Sequence, residues 1–141
     1  MNFKAFLTEE TEKGFISNVK ERTFEDLPDG DVLIKVAFSS LNYKDALSAS
    51  GNKGVSRNYP HSPGIDAAGI VEQSSTSDFL KGDEVIVTGF DLGMNTSGGF
   101  SEYIRVPKEW IIKKPYNLSL EESMAEGTAG ITVGLCERKI L

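Results

Sequence analysis

Apolar and polar residues alternate through the first part of the chain, which predicts strands. Phe3, Ala5 and Leu7 alternate with polar neighbours, and residues 15–23 form a second extended run. The segment DVLIKVAFSS (31–40) is the clearest strand. Val32, Ile34, Val36 and Phe38 fall on one face at period two, with Lys35 on the other. Before it, LPDGD (27–31) carries strong turn chemistry. Further strands are predicted over 67–73, 84–88 and 100–106. The glycine-rich loops GNKG (51–54), GFDLG (89–93) and SGG (97–99) separate them. Helical patterning is scarce before residue 119, with a short helix predicted over 43–50 and a single turn near 107–110. Ser119 and Glu122 form a capping box, and Leu120 and Met124 share a helix face behind it. Many short strands, glycine-rich corners and few helices predict a mainly β fold, a partly open β-barrel or a sandwich.

Composition narrows the class of protein. The chain has 141 residues, about one domain, with 39% hydrophobic and 26% charged residues, as in an ordinary globular protein. No apolar run approaches the roughly 18 residues that a membrane span needs, and MNFKAFLTEE lacks a signal or transit pattern. A single cysteine, Cys136, excludes an internal disulfide and fits a reducing compartment, so the expected location is cytoplasmic. The net charge of −6 opposes nucleic-acid phosphates, and Lys108, Lys113 and Lys114 read as a solvated strand edge. A small-molecule partner is expected, with neither nucleic acid nor membrane.

Several chemistries are excluded by what is missing. One histidine (His61) and one cysteine cannot supply the three or four ligands of a usual zinc site. His61, between Pro60 and Pro63, reads as a loop residue without catalytic duty. No G-x-S-x-G elbow presents a serine, and Cys136 lies too near the end of the chain for a nucleophile. G-x-G-x-x-G is absent, and neither glycine pair with P-loop spacing is followed by the Lys and Ser or Thr of that motif. The cluster of Asp26, Asp29 and Asp31 lacks the closing Glu of a calcium loop and reads as a turn.

Four short pieces remain: LNYKDAL (41–47), PGIDAAGIV (63–71), GGFSEYIRV (98–106) and GTAG (127–130). Each has a structural reading. Asn42 is an N-cap with Asp45 three residues on. Gly64 and Gly69 serve turns or close packing, Asp66 bonds the backbone beside it, and Gly127 ends one helix with Thr128 starting the next. In this order and spacing, however, the pieces resemble the catalytic domain of the medium-chain dehydrogenase/reductase superfamily. They are most similar to its zinc-independent quinone-oxidoreductase branch and, within it, to the acrylyl-CoA reductase-like group. SSLNYKDALSASGNKG, RNYPHSPGIDAAGIV, GDEVIVTG, GGFSEYIRVP and SLEESMAEGTAGITV carry the match, which runs from near the start to about Val133.

The resemblance implies a GroES-like, partly open barrel over residues 1–126, with 127–141 starting the connection to a nucleotide-binding domain. It also accounts for the missing metal. Zinc-dependent relatives place a cysteine ligand where this chain has Asn42 and a histidine ligand where it has Ile65, and no cysteine precedes GTAG. By position, Asn42 and Tyr43 would line the cleft beside a nicotinamide ring, and Thr128 would open the helix next to the cofactor, NADPH by resemblance. Tyr43 is the candidate proton donor or oxygen stabiliser for reduction of an α,β-unsaturated carbonyl or a quinone, acryloyl-CoA being one such substrate. Lys44 and Asp45 belong to the motif in a structural or a functional capacity, and Arg57 is a candidate contact for an anionic group of the substrate.

The resembling family continues past GTAG into a dinucleotide-binding domain, whereas this sequence reads GLCERKIL to its end. The expectation is a fragment or truncated product that does not turn over alone, because remote cofactor contacts help position the reactive end. Uncovered strand edges and an apolar helix face lead to expected self-association into a homo-oligomer. Two other readings stand beside the enzyme: a GroES-like fold kept as a non-catalytic binding module, and a co-chaperonin-like ring protein.

Overall fold

A computed structural model describes residues 2–140. Seven strands and two helices follow in chain order: β1 (Asn2–Thr11), β2 (Gly14–Thr23), β3 (Val32–Phe38), α1 (Tyr43–Ala49), β4 (Asp66–Ser74), β5 (Glu84–Thr88), β6 (Tyr103–Val106), β7 (Ile111–Lys113) and α2 (Leu120–Ile140). β1 and β2 make a hairpin. The others form a five-stranded sheet in the order β6-β3-β4-β5-β7, antiparallel throughout. The two sheets do not close on one another, so the architecture is the partly open barrel that the sequence implied.

The hairpin is anchored to the sheet at two places. Phe6 N–H donates to Phe100 O at 2.8 Å and Glu102 N–H to Lys4 O at 2.9 Å. Farther along β1, Thr8 and His61 exchange backbone bonds of 2.8 and 2.9 Å. The main core lies on one face of the sheet and joins Val32, Ile34, Ala67, Val71, Val85, Val87, Leu92, Ile104 and Val106. These are the alternating positions of five short segments, which bury apolar area without any long helix.

Two details of β3 differ from the alternating pattern. Phe38 is 41% exposed rather than buried. Pairing runs Val36 to Gly69 and then Phe38 to Ala68, so one extra residue sits in β3 and rotates its end away from the core. Leu33, opposite in phase to Val32 and Ile34, is also buried, in a second cluster with Phe3, Ala5 and Leu27 beneath the hairpin. Both faces of β3 are therefore covered at this end. β6 starts at Tyr103 instead of residue 100, because Ser101 is taken up by a bridge to Ala5 of β1. The short β7 was not legible in the pattern.

The ends of both helices follow local chemistry. Asn42 Oδ1 accepts from Lys44 N–H at 3.0 Å while Asn42 N–H donates to Asp45 Oδ2 at 2.8 Å, a reciprocal cap. Ser119 and Glu122 repeat the arrangement at the start of α2, at 2.8 and 3.1 Å. Gly127 interrupts α2 with φ +47°, so the chain changes direction between Glu126 and Thr128. The three lysines on the strand edge are each paired with an acid: Lys108 with Asp78 at 2.8 Å, Lys113 with Asp83 at 3.0 Å and Lys114 with Glu84 at 3.1 Å. Pairs of this kind in exposed positions add little to stability.

Candidate functional site

The junction between β3 and α1 is built around two buried carboxylates. Asp45, in the first turn of α1, is 3% exposed. Besides the bond from Asn42, its Oδ1 accepts from Gly64 N–H and Ile65 N–H, both at 3.0 Å. Asp45 thus pins the PGI turn to the helix. Burial pushes its carboxyl above the ordinary value of 3.8, against the pull of these three N–H donors, and the nearby Asp66 adds to the rise. The turn itself is tight: Gly64 has φ +112°, and a Cβ there would lie 2.5 Å from Phe100 N and 2.6 Å from Gly99 N.

Asp66 opens β4 and is 1% exposed. Its side chain does not bond the adjacent backbone, as the sequence reading had it. Ser40 Oγ donates to Asp66 Oδ2 at 3.0 Å, Thr128 Oγ1 donates to Oδ1 at 2.7 Å, and Thr88 Oγ1 donates to the same Oδ1. The Thr88 and Thr128 hydroxyl oxygens are 3.2 Å apart. Gly127 seats against this group, where a Cβ would meet Ser40 Oγ at 2.6 Å and Asp66 Oδ2 at 3.1 Å. Three separated segments therefore converge on the one carboxylate of β4. Sequence reasoning missed Ser40, Thr88 and Asp66 as a group. The available signal was a lone carboxylate in an otherwise apolar strand, since a buried charge requires partners.

Of the residues singled out in the sequence, the structure brings Thr128 to the β3–α1 junction through Asp66 and Ser40, two residues before Asn42. Asn42 is half-buried at the cap, and Tyr43 beside it is 77% exposed. Arg57 lies outside this hydrogen-bonded group. Its side chain is exposed and its backbone N–H reaches Asn95 Oδ1 at 3.4 Å. The loop carrying Arg57 is held by Tyr59, whose hydroxyl donates to Ser48 O at 2.7 Å, and by the buried Ser48–Ser56 hydroxyl pair at 2.6 Å. Among the described residues, no group of three or more His, Cys, Asp or Glu side chains is arranged to hold a metal ion. Among them, too, no helix is long and apolar enough to cross a membrane.

His61 lies in the loop between α1 and β4, as expected, and is buried there. Its Nε2 lies 2.8 Å from Gly93 O, and burial lowers its pKa from the ordinary 6.5. A lowered folded-state pKa gives stability that is complete above the unfolded value and is lost as pH falls through the folded one. The urea midpoint of the chain is therefore expected to drop as pH falls below 6.5, and His61→Gln to flatten that part of the profile. An unchanged slope in the variant would assign the acid loss to other groups.

With this geometry in place, comparison with known proteins gives the class. Residues 28–116 match the alcohol dehydrogenase GroES-like domain, and the chain belongs to that family. Among its relatives, it is 40% identical to the yhdH oxidoreductase of Salmonella enterica, solved in complex with NADP, with a TM-score of 0.93 over 99% of this chain and 42% of that one. It is 45% identical to the Bacillus subtilis protein yhfP, solved with NAD bound, again with a TM-score of 0.93 over 99% of this chain and 42% of that one. It is also 43% identical over 117 residues to the acrylyl-CoA reductase AcuI of Ruegeria pomeroyi, which covers 83% of this chain and 36% of the relative. The chain thus spans well under half the length of these proteins.

Proposed function

We propose that this chain is the substrate-side catalytic portion of a zinc-independent, NADPH-dependent oxidoreductase acting on α,β-unsaturated carbonyl compounds of the acryloyl-CoA type, or on quinones. In this reading residues 1–126 form the catalytic domain and 127–141 begin the connection to a nucleotide-binding domain. The observation that carries it is the Asp66 hub. It ties the GTAG threonine to the Asn42–Tyr43 junction, in a chain 40% identical to a protein solved with NADP.

The residues present fit the nicotinamide end of such a cofactor and not its phosphate end. Asn42 Oδ1 accepts one bond in the helix cap, so its second lone pair and its N–H₂ remain for a ligand. Thr128 stands across the junction with its hydroxyl held by Asp66. No glycine-rich strand-turn-helix phosphate cradle occurs among the described residues. When bound, NADPH supplies the hydride for reduction. Tyr43, exposed at the helix start, donates a proton or a hydrogen bond to the substrate oxygen side. Arg57 meets an anionic group of the substrate, where a guanidinium pairs well with phosphate.

An NADPH titration of the ¹⁵N-labelled chain tests this. Saturable shift changes centred on Asn42, Tyr43 and Thr128 are expected, and the Tyr43→Phe variant is expected to bind NADPH as the parent does, since its proposed work is on the substrate. No saturable change, or changes confined to the β1–β2 hairpin, would overturn the reading.

A further inference from the structure

At the far end of β3 from Asn42, the sheet carries a polar recess of about 310 Å³ that shares no residue with the β3–α1 junction. Strand register builds it. Leu33 pairs with Arg105 of β6 on one side and with Gln73 of β4 on the other. Cross-strand partners share a face, so a guanidinium, a leucine and a carboxamide form a row across three strands. Arg105 and Gln73 stand two strand spacings apart, roughly 10 Å at the backbone. Leu33, between them, is buried, and Asp31 and Ser75 also line the recess.

Part of this lining is already engaged. Asp31 Oδ2 accepts from Lys108 N–H at 3.1 Å, and Ser75 Oγ donates to Asp31 O at 3.2 Å. The half-buried Arg105 is engaged on one side only. Its Nη1 donates to Phe24 O at 3.2 Å and to Pro28 O at 3.5 Å, which fixes the plane of the guanidinium. A guanidinium has five N–H donors in a rigid fork. Among the described residues, Nε–H and the Nη2 donors have no partner, and no carboxylate forms an ion pair with Arg105. The geometry points to a binding site for a small, singly charged carboxylate that carries a second hydrogen-bonding group. The Nε–Nη2 edge of Arg105 takes the carboxylate through two parallel N–H bonds, and the exposed Gln73 carboxamide takes the far group. The lining limits the charge as well. One cation faces one anion, Asp31, so a phosphate dianion would be held beside a carboxylate that repels it. The site stands apart from the cofactor reading and does not depend on it.

The test titrates the ¹⁵N-labelled chain with three probes and reads the Arg105 Nε–H signal and the backbone amides of Gln73 and Ser75. The probes are glutaramate, with a carboxylate at one end and a carboxamide at the other, its neutral diamide glutaramide, and inorganic phosphate. Glutaramate is expected to shift these signals saturably and to bind about tenfold or more tighter than glutaramide, the worth of hydrogen bonds to a charged group. Arg105→Lys keeps the charge but loses the planar edge, so the preference is expected to fall to about threefold or less. Gln73→Ala is expected to weaken glutaramate by about three- to fivefold, the worth of one neutral hydrogen bond. Equal binding of glutaramate and glutaramide by the parent chain would overturn the inference, and that comparison holds even if Arg105→Lys does not fold. Phosphate binding as tightly as glutaramate would show a general anion site and overturn the carboxylate assignment. A glutaramate response that NADPH displaces would put the carboxylate at the cofactor junction and overturn it too. So would the absence of any saturable shift at Arg105.

Discussion

Gly64→Ala is expected to abolish the folded state at ordinary temperature, with a loss of roughly 4 kcal/mol or more, at the upper end for a single substitution. Two effects add. The residue has φ +112°, a conformation that a Cβ makes costly. The added carbon would also lie 2.5 and 2.6 Å from backbone nitrogens of Phe100 and Gly99, which no rotamer change relieves. Those backbones cannot retreat, because Gly99 N–H donates to Gly64 O at 2.8 Å and Phe100 N–H to Pro63 O at 3.0 Å. From the other side a Cβ on Gly93 or on Gly98 would lie 2.5 Å from Gly64 atoms, so three chain segments touch at one point. Thermal unfolding followed by circular dichroism checks this. A variant melting within a few degrees of the parent would show that the contact can open at little cost.

Asp45→Ala is expected to cost about 3 kcal/mol, because it strands three backbone donors at once. Asn42 N–H, Gly64 N–H and Ile65 N–H all lose their acceptor. The loss also depends on pH. Burial, the largest influence, holds the folded-state pKa above the ordinary 3.8. Between those two values the folded chain keeps a proton that the unfolded chain has released. The proton-linked part of the Asp45 contribution is therefore complete below 3.8 and declines as pH rises through the folded-state pKa. Urea unfolding of parent and variant at acidic and neutral pH should show the larger gap at acidic pH. A gap that widens toward neutral pH would contradict the assigned direction. Asp45 also holds both Asn42 and the turn leading into Asp66, so both are expected to shift in the variant.

How much of this was legible in the sequence depended on how local each feature was. The caps at Asn42 and Ser119 rest on residues three apart, and both formed as their spacing predicted. The alternation of Val32 and Ile34 identified β3 and its core face. It failed at Phe38, because the bulge there is a property of the pairing with β4 and leaves no mark on β3 alone. The burial of Leu33 left no mark for a related reason: the hairpin that covers it comes from the start of the chain. The hub at Asp66 joins Ser40, Thr88 and Thr128 across long stretches of sequence, and each of these is an ordinary small polar residue where it stands. Thr128 drew attention only through the family resemblance, and the contact that defines its chemistry became visible only when β4, β5 and α2 were assembled. His61 is the loop residue its flanking prolines indicated, but its burial beside Gly93 depends on a distant loop and left no local sign.

The contact at Gly64 also governs where the protein can vary. Gly93, Gly98 and Gly99 are buried and fix both ends of the loop between β5 and β6, whereas Asn95 at its tip is exposed. Lengthening a loop whose ends are already fixed costs little, about 0.6 kcal/mol per doubling. Insertions and new side chains would therefore be absorbed at the Asn95 tip, while at Gly93 or at Gly98 they would not fit the knot of glycines. Because Asn95 Oδ1 accepts from the Arg57 backbone N–H, a change at that tip would reach the loop carrying Arg57 while the barrel beneath stays unchanged.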